Sequence, residues 1–129
     1  MKRTIFFLAV IFVLFSTAAL AQQTRKGHFE ITKSDQGKFY FVLRSSNGQE
    51  ILKGFYYSTE DKVREAIARV KALALDEANF DPRGGGSQWY FFLKGADGRA
   101  VAQSEHYTTE AAMKRGIESV KKNRSRRGN

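Results

Sequence analysis

Cysteine is absent from the 129-residue chain, proline occurs once and histidine twice. Without cysteine there is no disulfide framework, no thiolate metal site and no cysteine nucleophile, so packing and hydrogen bonding hold the fold together. The length allows one small domain. Acidic residues are also few, 13 Asp plus Glu against 22 Lys plus Arg, for a formal charge of +9. Hydrophobic residues at 42% and charged residues at 27% describe a chain that folds, not a disordered one.

Only one stretch is long and continuously apolar. Lys2 and Arg3 precede the run Ile5 to Phe15, which Ser16, Thr17 and then Ala19-Leu20-Ala21 follow. A charged start, an apolar centre and small residues three and one positions before a cut form the pattern of a secretory signal peptide. The competing reading is a membrane anchor, but Ile5 to Ala21 is 17 residues including two hydroxyls, at the lower limit for crossing about 30 Å of hydrocarbon. No cysteine follows Ala21, which excludes lipid attachment there. The expectation is a signal peptide at 1–21 and an exported chain, periplasmic or secreted, with no membrane span after cleavage.

Removal of Lys2 and Arg3 lowers the charge from +9 to +7. Lys121, Lys122, Arg124, Arg126 and Arg127 carry five of those charges within the last nine residues. The high isoelectric point therefore belongs mainly to a C-terminal tail.

The chain repeats itself without a gap at an offset of 50. Phe39-Tyr40-Phe41-Val42-Leu43-Arg44 lines up with Trp89-Tyr90-Phe91-Phe92-Leu93-Lys94, Asn47-Gly48 with Asp97-Gly98, Tyr57 with Tyr107, Thr59-Glu60 with Thr109-Glu110, Ile67 with Ile117 and Val70 with Val120. Upstream, Phe29 answers to Phe80 with one residue fewer in the second copy. A unit of about 50 residues is too small to bury an adequate core alone, so the two copies complete one another. The expected organisation is a first repeat at 22–75, a second at 76–122 and a basic tail at 123–129, the repeats forming one domain.

Each unit reads as three strands and a helix. Phe29 to Thr32 alternates and ends in a turn cluster, Lys38 to Arg44 alternates again, and Asn47-Gly48 is a hairpin signal in which both residues accept positive φ. A third strand spans Glu50 to Phe55. Ser58 then supplies an N-cap, and Val63, Ala66, Ile67 and Val70 recur at helical spacing. The second unit repeats this with Trp89 to Lys94, Arg99 to Ser104, a cap at Thr108 or Thr109, and a helix carrying Met113, Ile117 and Val120. Its first strand, Asn79 to Pro82, reads as a short frayed edge, because proline cannot donate to a ladder, and Arg83 to Ser87 reads as a mobile hairpin tip. Those glycines lack the helix start and Lys-Ser or Lys-Thr of a phosphate loop.

Gly37 to Phe41, Asn47-Gly48, Tyr57-Ser58-Thr59 and Ile67 to Lys71, with second copies ending Gly116-Ile117-Glu118-Ser119-Val120-Lys121-Lys122-Asn123, resemble the YegP-like family of small bacterial proteins of unknown function. The resemblance spans nearly all of the chain after Ala21. It implies an α+β fold in which two tandem strand-strand-strand-helix repeats share one antiparallel-rich sheet with both helices on one face. It implies tandem pairs or dimers of single copies, and it supplies no catalytic residues. The signal peptide departs from the cytoplasmic members.

Alternation sends Phe39, Phe41, Leu43, Trp89, Phe91 and Leu93 toward the helices as core. The opposite face carries Lys38, Tyr40, Val42 and Arg44 in one copy and Gln88, Tyr90, Phe92 and Lys94 in the other. Aromatics interleaved with cations on an open sheet stack bases or sugars. The alternative is that these rings only stabilise neighbouring strands, or that a partner closes the face. The tail, Lys121, Lys122, Arg124, Arg126 and Arg127, is either a salt-sensitive contact for an acidic polymer or membrane surface or a solvated end.

Enzyme chemistry finds little in the sequence. His28 and His106 form no spaced pair of the kind a metal site needs. Glu60 and Glu110 sit in first helical turns, where the helix dipole explains them. The expectation is a non-catalytic binding module without metal or cofactor that holds an anionic polymer, the alternative a protein-interaction or structural accessory of the cell envelope. The oligomeric state stays open between monomer and strand-exchanged dimer.

Overall fold

Short alternating segments closed by glycine turns become six strands, and two segments of helical period become two helices. The computed structural model describes residues 27–124. In order these are β1 (His28–Lys33), β2 (Phe39–Arg44), β3 (Glu50–Gly54), α1 (Glu60–Leu73), a 3-10 turn (Glu77–Asn79), β4 (Phe80–Gly85), β5 (Gln88–Lys94), β6 (Ala100–Gln103) and α2 (Glu110–Asn123). The strands form one antiparallel sheet in the order β1-β2-β3-β6-β5-β4. The fold is α+β, and β3 and β6 join its two halves at the centre.

The hairpin turns differ from the expected Asn-Gly geometry. In the Asn47-Gly48 and Asp97-Gly98 turns the glycines take positive φ, 85° and 78°, while Asn47 and Asp97 do not. Gly48 N–H donates to Ser45 O at 2.9 Å, and the register shifts beside the turn at Leu43/Arg44, so the loop is a four-residue turn followed by a bulge. Asn47 instead lends its side-chain oxygen to Gln49 N–H at 3.2 Å.

The expected edge strand is present at the sheet edge, but its length and pairing are corrected. β4 runs from Phe80 to Gly85 and pairs with β5 along its whole length. Pro82 is tolerated because its partner Phe91 uses both backbone groups on the other side: the Ser104 N–H donates to Phe91 O and the Phe91 N–H donates to Ser104 Oγ, each at 2.9 Å. Pro82 thus stands at a site that calls for no ladder donor. Gly84, at φ 111°, passes so near Gln88 O that a Cβ would lie 2.1 Å from it.

Both helices start at threonine, one residue later than Ser58 in the first. Thr59 accepts from Lys62 N–H and Thr109 from Ala112 N–H, with Glu60, Asp61 and Glu110 in the first turns. Val63, Ala66 and Val70 of α1 and Met113, Ile117 and Val120 of α2 enter one core with Phe41, Leu43, Leu52, Phe91, Leu93 and Ala102. Phe39 and Trp89 pack against it, half-buried. Phe41, Leu43, Phe91 and Leu93 are fully buried, and each such side chain stabilises the fold by about 1.5–3 kcal/mol.

α2 continues to Asn123, beyond the expected tail boundary. Asn123 is buried, and its amide donates to Ser119 O at 2.7 Å. Lys121 and Lys122 are therefore helical residues, while Arg126 and Arg127 lie outside the described residues.

Candidate functional site

The second face of the sheet is read from pairing register. One row crosses all six strands: Glu30, Val42, Lys53, Gln103, Phe92 and Asp81. Tyr40 and Arg44 flank Val42 on β2, and Tyr90 and Lys94 flank Phe92 on β5, each two residues away and so on the same face. Tyr40, Arg44, Tyr90, Phe92 and Lys94 are thus brought together on one surface. Lys38 is not in β2; it precedes the strand, exposed, with its N–H donating to Ser34 Oγ at 3.1 Å.

Rings gather in two groups on this face. Tyr40 meets Tyr56 edge-on with centroids 5.4 Å apart, and Lys53 Nζ stands 4.8 Å from the Tyr40 ring centre and 5.7 Å from that of Tyr56. Tyr90 meets Phe92 edge-on at 5.5 Å and stacks on His106 at 4.9 Å. Tyr56 is 54% exposed and Phe55 beside it 41%. A cleft of about 340 Å³ opens at the centre, lined by Lys53, Phe55, Tyr56 and Gln103 among others.

The cations named from sequence are largely neutralised. Arg44 Nε donates to Glu30 at 2.8 Å, and that guanidinium, followed by His28, holds the Glu30 carboxyl below its usual range. Lys94 lies 2.6 Å and Arg83 2.8 Å from the Asp81 carboxylate, whose pKa they lower, Arg83 first. Lys53 is different: its contacts are with rings, a cation–π arrangement. The face is aromatic first and cationic second.

The tail residues separate. Lys121 pairs with Glu77 at 2.6 Å and Glu118 at 3.2 Å, the Glu77 bond chiefly raising its pKa. Lys122 is exposed on the last turn of α2, and Arg124 caps that helix with a buried Nε that has no hydrogen-bond partner among the described residues.

Lys53, Tyr56, Gln103 and His106 are site residues that alternation within β2 and β5 does not find. The Asn47-Gly48 hairpin held the signal for Lys53, because closing it sets Lys53 opposite Val42. The isolated bridges Phe39–Tyr57 and Trp89–Tyr107 bring the segments carrying Tyr56 and His106 back beside β2 and β5. Among the described residues no cluster of three or more His, Asp or Glu is placed to hold a metal ion, and no helix is long and apolar enough to cross a membrane.

The model of a family described as a domain of unknown function, DUF1508, matches residues 34–81 and again 86–126. The UPF0339 protein YegP of Yersinia pestis is 34% identical over 55 residues, 43% of this chain and 49% of that protein. YegP of Escherichia coli strain K12 is 33% identical over 57 residues, 44% and 52% respectively. The chain spans about half the length of the curated relatives it matches. The solution NMR structure of yegP from E. coli, titled a protein of unknown function, is similar with a TM-score of 0.74 and 31% identity over 80% of this chain and 90% of that one. The UPF0339 protein SO3888 of Shewanella oneidensis gives 0.73 and 30%, over 78% and 86%.

Proposed function

The chain belongs to the DUF1508 family, a family of unknown function, and on that premise we propose that it is a non-catalytic binding module that lays an anionic polymer across the aromatic face of its sheet. In this reading two tandem repeats, 22–75 and 76–122, share the sheet and place both helices on its other face. Supporting this, the core joins the buried residues of both helices to Phe41, Leu43, Phe91 and Leu93, and none of Tyr40, Arg44, Tyr90, Phe92 or Lys94 belongs to it. Residues 1–21 act as a signal peptide, and the module works in the periplasm or medium.

The observation that carries the reading is the pair of ring clusters, Tyr40 with Tyr56 and Tyr90 with His106, on either side of Lys53 and Gln103. Planar rings spaced along a sheet stack successive units of a chain, and Lys53, which forms no ion pair among the described residues, supplies a charge in a cleft that Glu50 and Glu105 also line. Lys122, Arg124, Arg126 and Arg127 add salt-sensitive attraction. Neutralisation of Arg44 and Lys94 favours a second reading, an envelope accessory protein whose partner covers the rings.

The test is titration of the double variant Tyr40→Ala, Tyr90→Ala with single-stranded DNA and with polygalacturonate. Each lost stacking contact is worth about 1–3 kcal/mol, so affinity falls by about tenfold or more while the protein stays folded. Unchanged affinity removes the sheet face from the account.

A further inference from the structure

A helix meets the far hairpin turn twice in this fold, and each junction leaves a cleft. α1 and the β5–β6 turn enclose about 370 Å³, lined by Arg69, Ala72, Leu73, Gly95, Ala96, Asp97 and Val101. α2 and the β2–β3 turn enclose about 490 Å³. Fifty residues apart, Ala72 and Leu73 become Lys122 and Asn123, and Gly95 and Ala96 become Ser45 and Ser46. At these four positions the first cleft carries small or apolar residues and the second polar ones, and the first also has an acid, Asp97, in its lining.

Three observations concern the chemistry of the second cleft. No acidic residue is among the described residues that line it. Arg115, Ser119 and Lys122 follow one another at helical spacing along one face of α2. Other cations of that helix are paired, Lys114 with Glu110 at 3.4 Å and Lys121 with Glu77 at 2.6 Å, whereas Arg115 and Lys122 form no ion pair among the described residues.

Tyr107 adds a neutral donor. Its hydroxyl lies against Gly116, 2.3 Å from where a Cβ would be, and makes no hydrogen bond among the described residues. Glycine inside a helix costs about 1 kcal/mol relative to alanine. The corresponding residue of α1 is Ala66, so the architecture does not itself demand glycine there. Burial, then Glu105, pushes the phenol up to about 12, so it remains a donor throughout the physiological range. Ser46 and Ser119 contribute further hydroxyls to the same lining.

We propose that the α2/β2–β3 cleft binds a sugar-sized phosphate or sulfate ester, with Arg115 and Lys122 holding the oxyanion and the hydroxyls of Ser46, Tyr107 and Ser119 contacting the body. The volume suits such a ligand, since small-molecule pockets run from about 300 to 1,000 Å³. Guanidinium pairs with tetrahedral oxyanions through two parallel donors, and ammonium acts as a point charge beside it. The site shares no residue with the ring clusters Tyr40–Tyr56 and Tyr90–His106.

The experiment is amide-resolved NMR of the full chain titrated with glucose 6-phosphate, inorganic sulfate and glucose. The expected result is saturable shifts confined to residues 45–49 and 107–123 with glucose 6-phosphate, weaker ones with sulfate and none with glucose. Arg115→Gln with Lys122→Gln weakens glucose 6-phosphate binding by about tenfold or more, because two charge-assisted contacts are lost. Arg69→Gln, in the α1/β5–β6 cleft, and Tyr40→Ala with Tyr90→Ala leave it unchanged. Ser119→Asp, which places an acid in the lining, abolishes it without altering the fold's amide pattern. Absence of saturable shifts, shifts centred on the ring clusters, or equal binding by the Arg115/Lys122 variant overturns the proposal.

Discussion

Replacing Gly54 by alanine probes how tightly the core closes where β3 meets β2. Gly54 is buried opposite Ala102, and an added Cβ would lie 2.2, 2.5 and 2.7 Å from three ring atoms of Phe41. Carbon contacts settle near about 3.5–4.0 Å, so the ring must retreat by about 1 Å or more. Phe41 has no exposed surface, and its ring already stands edge-on to Phe29 at 5.8 Å. Overpacking of this kind costs about 1–3 kcal/mol. Gly54 does not occupy positive φ, so alanine stiffens the unfolded chain and returns about 0.4–1 kcal/mol. The net loss is about 1–2 kcal/mol, a fall in melting temperature of about 5–15 °C for a domain of this size. Thermal and urea unfolding followed by circular dichroism measure it. Adding Phe41→Leu, which removes the clashing ring edge, should make the double variant less destabilised than the sum by about 0.5 kcal/mol or more. A Gly54→Ala variant as stable as the parent would refute the packing described here.

Other expectations follow from polar groups. Ser104 is 5% exposed and its hydroxyl serves the Phe91 N–H at 2.9 Å, so Ser104→Ala strands a buried donor and costs about 1–3 kcal/mol in urea titration. A loss within error would show that the Phe91 N–H finds another partner. Glu30 and Asp81 are held below the ordinary carboxylate range by Arg44 and Arg83. Because their folded pKa values are depressed, their contribution is present above the unfolded pKa of about 4 and is lost as pH falls through the folded values. Melting temperature should therefore drop less steeply below about pH 4 in Glu30→Gln with Asp81→Asn than in the parent, and parallel curves would remove that linkage.

The sheet and helices were legible because their causes are local. Alternation, Asn47-Gly48 and Asp97-Gly98, and the Val63–Val70 and Met113–Val120 spacings each fix an element within a few residues. Phe41, Leu43, Phe91 and Leu93 fall in the core as their alternation demands. β4 was legible as an edge strand but not in its length, since whether Pro82 is tolerated depends on Phe91 turning both backbone groups to Ser104, a relation between distant segments. The candidate face was half visible for the same reason. Tyr40, Tyr90 and Phe92 follow from strand period, but pairing decides the partners that change their meaning: Glu30 neutralises Arg44, Asp81 neutralises Lys94, and Lys53 arrives from the next strand over. Charge counted along the chain overstated the cationic character of the face. The helix boundary mattered too, since buried Asn123 extends α2 through residues that composition alone assigns to a tail.

The most direct test of the central claim compares the chain from residue 22 to Asn129 with one ending at Arg124, which spares the whole of α2. Both are titrated with single-stranded DNA and polygalacturonate at low and at physiological salt. The account predicts that both forms bind at physiological salt and that Tyr40→Ala with Tyr90→Ala weakens that binding by about tenfold or more in each. Binding that vanishes with the last five residues, or with salt alone, would contradict it.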